Sequence, residues 1–166
     1  MRKRWLLSIV IMLFPFVASF AADPEEGTYP TVGRLFHIAR SVNKNLVCYD
    51  VNLRDGKLDT HDPLNVYWVN REKHPGETNG LSYIQRKMAY GYNACVCSLT
   101  AYPSRQLTIT KRDSRYVCYI TINNQQAILQ SLYVKASSKN PLRVEYVELQ
   151  GISVATNQPV TERVRK

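Results

Sequence analysis

Four cysteines, three histidines and eleven tyrosines carry most of the reactive chemistry in this 166-residue chain. Cys48, Cys95, Cys97 and Cys118 all fall in stretches that read as strands. Four thiols allow three complete pairings, and an oxidising compartment permits them. Cys95 and Cys97 share a strand face but sit roughly 6.6 Å apart along it, too far for a relaxed bridge to each other. A bond from one of them to Cys48 or Cys118 on a neighbouring strand is sterically reasonable, with buried free thiols as the equal alternative. The sequence has neither the separated C-x2-C pairs of a structural zinc site nor the C-x-x-C of a thiol oxidoreductase. No metal site is therefore expected.

His37 lies inside a strand, three residues before Arg40, which puts the two on opposite faces unless a bulge intervenes. His61 stands in Asp59-Thr60-His61-Asp62, a cluster able to hold a cation or a proton but more often a solvent-facing turn. His74 precedes Pro75 and reads as a turn residue. The serines are generic: there is no G-x-S-x-G elbow, no H-E-x-x-H and no phosphate-cradling glycine loop. Asp50, Asp55, Asp59 and Asp62 crowd one polar stretch and give no preferred acid and base pair. No catalytic residue is assigned, no cofactor is expected, and an enzymatic activity is left open.

Beyond Ala21 the chain holds a single tryptophan, Trp68, a single phenylalanine, Phe36, and all eleven tyrosines. A tyrosine packs an apolar ring while its hydroxyl seeks a partner, so it suits half-wet positions. Tyrosine is also a good strand residue, so the plain reading is packing over sheet faces and edges, with a ligand-lining aromatic surface as the sharper one.

The elements that must position these groups are mostly strands. Val32–Arg40 and Asn45–Val51 alternate with a period of two around a polar turn and look like a hairpin. Leu64–Asn70 follows a polar connection containing Asp55-Gly56, with Leu64, Val66 and Trp68 on one face. Arg71–Asn79, with Pro75-Gly76 at its middle, reads as a turn. Leu81–Tyr90 is the one convincing helix, capped by Asn79, striped by Leu81, Ile84 and Met88, and closed by Gly91. Strands are then expected at 94–100, 106–110, 116–122, 127–135, 142–149 and 152–155, with a short tail at 160–164. The fold class that follows is mainly β: an antiparallel β-barrel or β-sandwich of about eight strands with one short helix.

Arg2, Lys3 and Arg4 precede an apolar run, Trp5–Val17, and small residues at Ser19 and Ala21. This is the three-part layout of a secretory signal peptide, and the run is too short to cross a bilayer as a helix. The expected organisation is a signal peptide over 1–21, a loose arm over 22–31 and a single β-rich domain over 32–166, soluble in a periplasmic or extracellular space. A retained anchor is the alternative. Hydrophobic residues at 45% and charged residues at 21% suit a folded domain rather than a disordered one. Net charge is +9, of which three positive charges leave with the leader. The remainder favours anionic partners, but export and the scatter of basic residues argue against nucleic acid. Lys111, Arg112 and Arg115 around Asp113 form the closest basic cluster and read as a solvated hairpin turn.

The stretch Leu35-Phe36-His37-Ile38-Ala39-Arg40-Ser41, with Asn43-Lys44-Asn45 and Tyr49-Asp50-Val51-Asn52, resembles a bacterial family of exported domains of unknown function, the domain of unknown function 4833. Val66-Tyr67-Trp68-Val69, Ile84-Gln85-Arg86-Lys87, Ala89-Tyr90-Gly91-Tyr92 and Val144-Glu145-Tyr146-Val147-Glu148-Leu149 with Gly151 look similar too. The resemblance runs from about Val32 to the C-terminus. It implies boundaries and export but carries no agreed activity and no catalytic residue, and Cys95, Cys97 and Cys118 lie outside its pattern.

The leading expectation is a non-enzymatic exported domain that holds a small amphipathic or anionic ligand inside a β shell. Arg40 and Arg86 would neutralise the anion, Trp68, Tyr49 and Tyr90 would pack against its apolar part, and His37 would hydrogen-bond. A module contacting an envelope protein or cell-wall polymer through an exposed sheet face is second, and an envelope hydrolase third. A continuous cavity favours the first, a packed core with an exposed aromatic patch the second.

Overall fold

The structure is a computed structural model, and it describes residues 33–43, 45–70, 77–82, 85–86, 90–93, 96–100 and 102–165. The leader, the arm, His74, Cys95 and most of the expected helix lie outside the described residues. Among the described residues there are thirteen strands: β1 Arg34–Arg40, β2 Leu46–Val51, β3 Leu53–Arg54, β4 Lys57–Leu58, β5 Leu64–Val69, β6 Thr78–Gly80, β7 Tyr90–Asn93, β8 Val96–Leu99, β9 Tyr102–Arg112, β10 Arg115–Ile122, β11 Gln125–Ala136, β12 Val144–Ser153 and β13 Pro159–Arg165. Eleven of them form one sheet, which curls into a half-barrel. The mainly β class is as expected. The strand count exceeds eight because β3, β4, β6 and β7 are short ladders in stretches whose composition reads as turn or helix.

Turn chemistry sets the hairpins. Asn123 and Asn124 both adopt positive φ (48° and 59°) and join β10 to β11 in two residues, as a type I′ turn demands. Asp55 and Gly56 (52° and 73°) do the same between β3 and β4.

β11 organises the sheet. One edge pairs antiparallel with β12 along its length. The opposite edge is shared: Gln125–Ile128 pair with β10, and Ser131–Val134 pair with β1. From this fork one arm runs β1-β2-β5-β6 and the other β10-β9-β8-β7. The β1–β11 pairing is parallel, which the antiparallel expectation did not include. It needs no crossover helix, because the chain between the two strands builds both arms before returning.

A bulge makes the fork. Leu129 faces Gly151 and Ser131 faces Gln150, so Gln130 is the extra residue on β11. Burial changes phase there: Ala127 and Leu129 point inward before it, Leu132 and Ala136 after it, while β12 keeps one phase through Val147, Leu149 and Gly151. The added bend lets one strand serve two diverging arms.

The arms enclose a common core. Phe36, Tyr49, Leu64 and Val66 from one arm share a buried cluster with Cys97, Leu107, Ile109, Cys118 and Ile120 from the other. Phe36 stacks on Tyr49 with ring centroids 4.6 Å apart, a contact worth about 0.5–1.5 kcal/mol beyond area burial. A second cluster, Leu46, Cys48, Tyr67 and Val69, buries the opposite face of β2 and β5.

Within Leu81–Tyr90, Gln85 and Arg86 are helical and Tyr90 already belongs to β7. The cap is Ser82 rather than Asn79: the Ser82 N–H donates to Gln85 Oε1 (2.9 Å), and the Gln85 N–H donates to Ser82 Oγ (3.4 Å). Asn79 is in β6 opposite Trp68, and Gly91 is in β7 opposite Ser98, so ladder pairing takes both expected helix ends.

Candidate functional site

A cleft of about 340 Å³ opens between the arms. Ile38 and Arg40 of β1, Val47 and Tyr49 of β2 and Trp68 of β5 form one wall. Leu99 and Tyr102 come from the other arm, Leu132 and Val134 from β11, Val144 and Val147 from β12, and Leu81 closes the rim. Strand alternation explains the set. Ile38 pairs with Val47 and Val47 with Trp68, so a single cross-strand row lines the wall. Among the described residues the lining is apolar except for the Arg40 guanidinium and the Tyr49, Tyr102 and Trp68 polar tips. Among the described residues the Arg40 side chain has no ion-pair partner. A cation flanked by aliphatic walls attracts an anion more strongly than one in open solvent. Burial pushes the Tyr49 hydroxyl up to about 12, so it stays a neutral donor.

Arg40, Tyr49 and Trp68 are thus brought together as one site. His37 is not with them: it lines a separate cleft of about 460 Å³ on the opposite face of β1, with Arg34, Arg115, Tyr116 and Gln130. Next to that cleft Arg34 Nε donates to Asp50 Oδ1 (2.5 Å) and its Nη2 to Tyr67 Oη (2.8 Å), while the Tyr67 hydroxyl donates to Asp50 Oδ2 (2.8 Å).

Arg86 and Tyr90 form a third group, around Asp62. Arg86 Nη2 donates to Asp62 Oδ2 and its Nε to Oδ1 (3.3 Å), and the Tyr90 hydroxyl donates to Oδ1 (3.1 Å). Arg86 Nη1 also donates to the Leu81 carbonyl (2.7 Å), so this arginine holds the rim of the apolar cleft through Leu81 instead of facing a ligand. Arg86, expected to neutralise an anion, is paired here with Asp62 and stands apart from Arg40. In the same loop Asp59 accepts from the N–H groups of His61 (2.9 Å) and Asp62 (3.3 Å) and from Arg54 (2.9 Å). The His61 amide bond holds its carboxyl below the usual range. The cluster is a self-satisfied turn.

Cys48, Cys97 and Cys118 are buried free thiols. Cys97 pairs across to Leu107 and Cys118 to Ile109, so strand β9 stands between them. Two strand spacings, about 9.6 Å, exceed the reach of a disulfide. Burial pushes Cys48 up to about 11 and Cys97 up to about 12. Neither is a reactive thiolate at neutral pH.

The apolar lining was not readable as a site from sequence. Leu132 and Val134 face the cleft only because the Gln130 bulge shifts their phase, and Tyr102 begins a ladder earlier than its Pro103 suggests. Arg40 and Trp68 stand out in the sequence as a charge and an indole within predicted strands.

No helix among the described residues is long and apolar enough to cross a membrane. No curated protein matches the chain, and no solved structure matches it. Residues 36–163, which span β1 to β13, match the family model described as Domain of unknown function (DUF4833), and the chain belongs to that family.

Proposed function

We propose that this is an exported domain that holds a small amphipathic anion in the cleft between its arms. The acid group sits at Arg40 and the apolar chain runs along Ile38, Val47, Trp68, Leu132 and Val147. The observation that carries this reading is an otherwise apolar cleft of about 340 Å³ whose cation, Arg40, has no ion-pair partner among the described residues. Its volume is in the range of small-molecule sites. Mostly aliphatic walls with one guanidinium match a carboxylate or sulfonate on a hydrocarbon better than a polar metabolite. A continuous space between the arms also favours a ligand over a partner docking on a fully packed face. The charged, apolar and small-residue sections of the first 21 residues support export, and removal of that segment would leave a mature chain beginning at Ala22.

Calorimetric titration of the protein with decanoate tests the reading, with decanol as the uncharged control. Decanoate binds, decanol binds more weakly, and Arg40→Ala lowers decanoate affinity by about tenfold or more, the loss of a charge-assisted bond worth roughly 1.5–3 kcal/mol. Equal affinity for the two compounds, or an unchanged Arg40→Ala variant, excludes the proposed role of Arg40.

A further inference from the structure

The fork in the sheet leaves a second cleft, different in chemistry from the first. β10 pairing on β11 stops at Ile128 and β1 pairing starts at Ser131, so the edge at Leu129 and Gln130 faces neither strand. The space of about 460 Å³ there is lined by Arg115, Gln130, His37, Arg34 and Tyr116, over an aliphatic floor. Among the described residues the lining includes no aspartate or glutamate.

Each polar group is placed by an identifiable feature. Gln130 is the bulged residue of β11, and bulges re-aim a side chain that regular alternation would send elsewhere. Arg115 opens β10 immediately after the Asp113-Ser114 turn and has no ion-pair partner among the described residues. The Tyr116 hydroxyl accepts from the Leu58 N–H (3.0 Å), which ties the β3–β4 hairpin across the fork and fixes the ring. Arg34 is held by Asp50 and Tyr67, so its charge is largely balanced and Arg115 supplies most of the net positive field.

We propose that this fork cleft is a second binding site, for a small acidic sugar. Arg115 takes the acid group, and the Gln130 amide and the His37 ring hydrogen-bond the hydroxyls. The volume is far larger than a bare oxyanion needs, and several hydrogen-bonding side chains around one cation suit a polyhydroxylated acid better than an alkyl chain. This site does not depend on the apolar cleft, which lies on the other face of β1.

Calorimetric titrations of the full chain with glucuronate, glucose 6-phosphate, glucose and inorganic phosphate test it. At least one of the two acidic sugars binds, the carboxylate and phosphate arms showing which acid is preferred, and glucose and inorganic phosphate bind at least about tenfold more weakly. Arg115→Ala and Gln130→Ala each weaken the acidic sugar about tenfold. Both side chains are exposed, so these variants keep the fold. Arg40→Ala leaves the affinity unchanged, which separates this site from the apolar cleft. No binding by either acidic sugar, phosphate binding as tightly as glucose 6-phosphate, or full affinity in either the Arg115 or the Gln130 variant overturns the proposal.

Discussion

The carbonyl oxygen of Ile128 lies 2.6 Å from the point where a Cβ on Gly151 would stand. No real Cβ tolerates that separation from a backbone atom, and Ile122 Cδ1 stands only 3.0 Å away on the same side. Gly151 is therefore a spacing requirement: β12 approaches β11 this closely where the bulge at Gln130 bends the sheet toward its fork.

Gly151→Ala should force β11 and β12 apart at that point. The expected cost is about 1–3 kcal/mol, the range for overpacking a well-filled interior. Urea unfolding followed by far-ultraviolet circular dichroism reads it as a lower midpoint with an unchanged slope. A midpoint equal to that of the parent protein would mean the strands have room to spare.

Asp62 is the acceptor that Arg86 and Tyr90 share, and Arg86 in turn holds the Leu81 carbonyl at the cleft rim. Asp62→Ala should cost about 1–3 kcal/mol, since it removes hydrogen bonds to a charged partner in a half-buried setting. It should also weaken decanoate binding, but less than Arg40→Ala does, because the rim loosens while the cation stays. An Asp62→Ala variant that binds decanoate worse than Arg40→Ala would move the anion to the Arg86 end.

Alkaline pH should destabilise the fold. Burial raises Cys48 from 9.0 to about 11, Cys97 from 9.0 to about 12 and Tyr49 from 10.0 to about 12, and it raises Cys118 as well. Groups with folded-state values above their unfolded ones contribute stability that is complete below the unfolded value and lost as pH rises through the folded one. Melting temperature should hold up to about pH 9 and fall between there and about pH 12. Peptides carrying Cys48, Cys97 and Cys118 should resist iodoacetamide in the native protein at neutral pH and react after denaturation. Early alkylation, or a melting temperature indifferent to this range, would show that these thiols are not buried.

Much of the architecture was legible because local signals agreed with it. The β1–β2 hairpin, the Asp55-Gly56 turn and the long late strands follow from alternation and turn chemistry. The fork did not, because a bulge is one residue of phase and Gln130 carries no mark of it. The ends of the expected Leu81–Tyr90 helix show the opposite failure: Asn79 and Tyr90 find ladder partners in Trp68 and Leu99, and tertiary pairing outweighs local preference there. Within the site, Arg40, Tyr49 and Trp68 converge because they occupy one cross-strand face. Arg86 and Tyr90 were drawn away by Asp62, whose position depends on a polar loop with no periodicity to read.

Contact quenching of Trp68 examines the ligand-holding cleft at its own wall. The chain's other tryptophan is Trp5, so Trp5→Phe leaves Trp68 as the single indole. Titrating that variant with bromodecanoate should quench its emission saturably, with unbrominated decanoate restoring the signal by competition and Arg40→Ala shifting the curve to about tenfold higher concentration. Quenching that never saturates, or a curve that ignores both the competitor and the loss of Arg40, would contradict a seated anion between the arms.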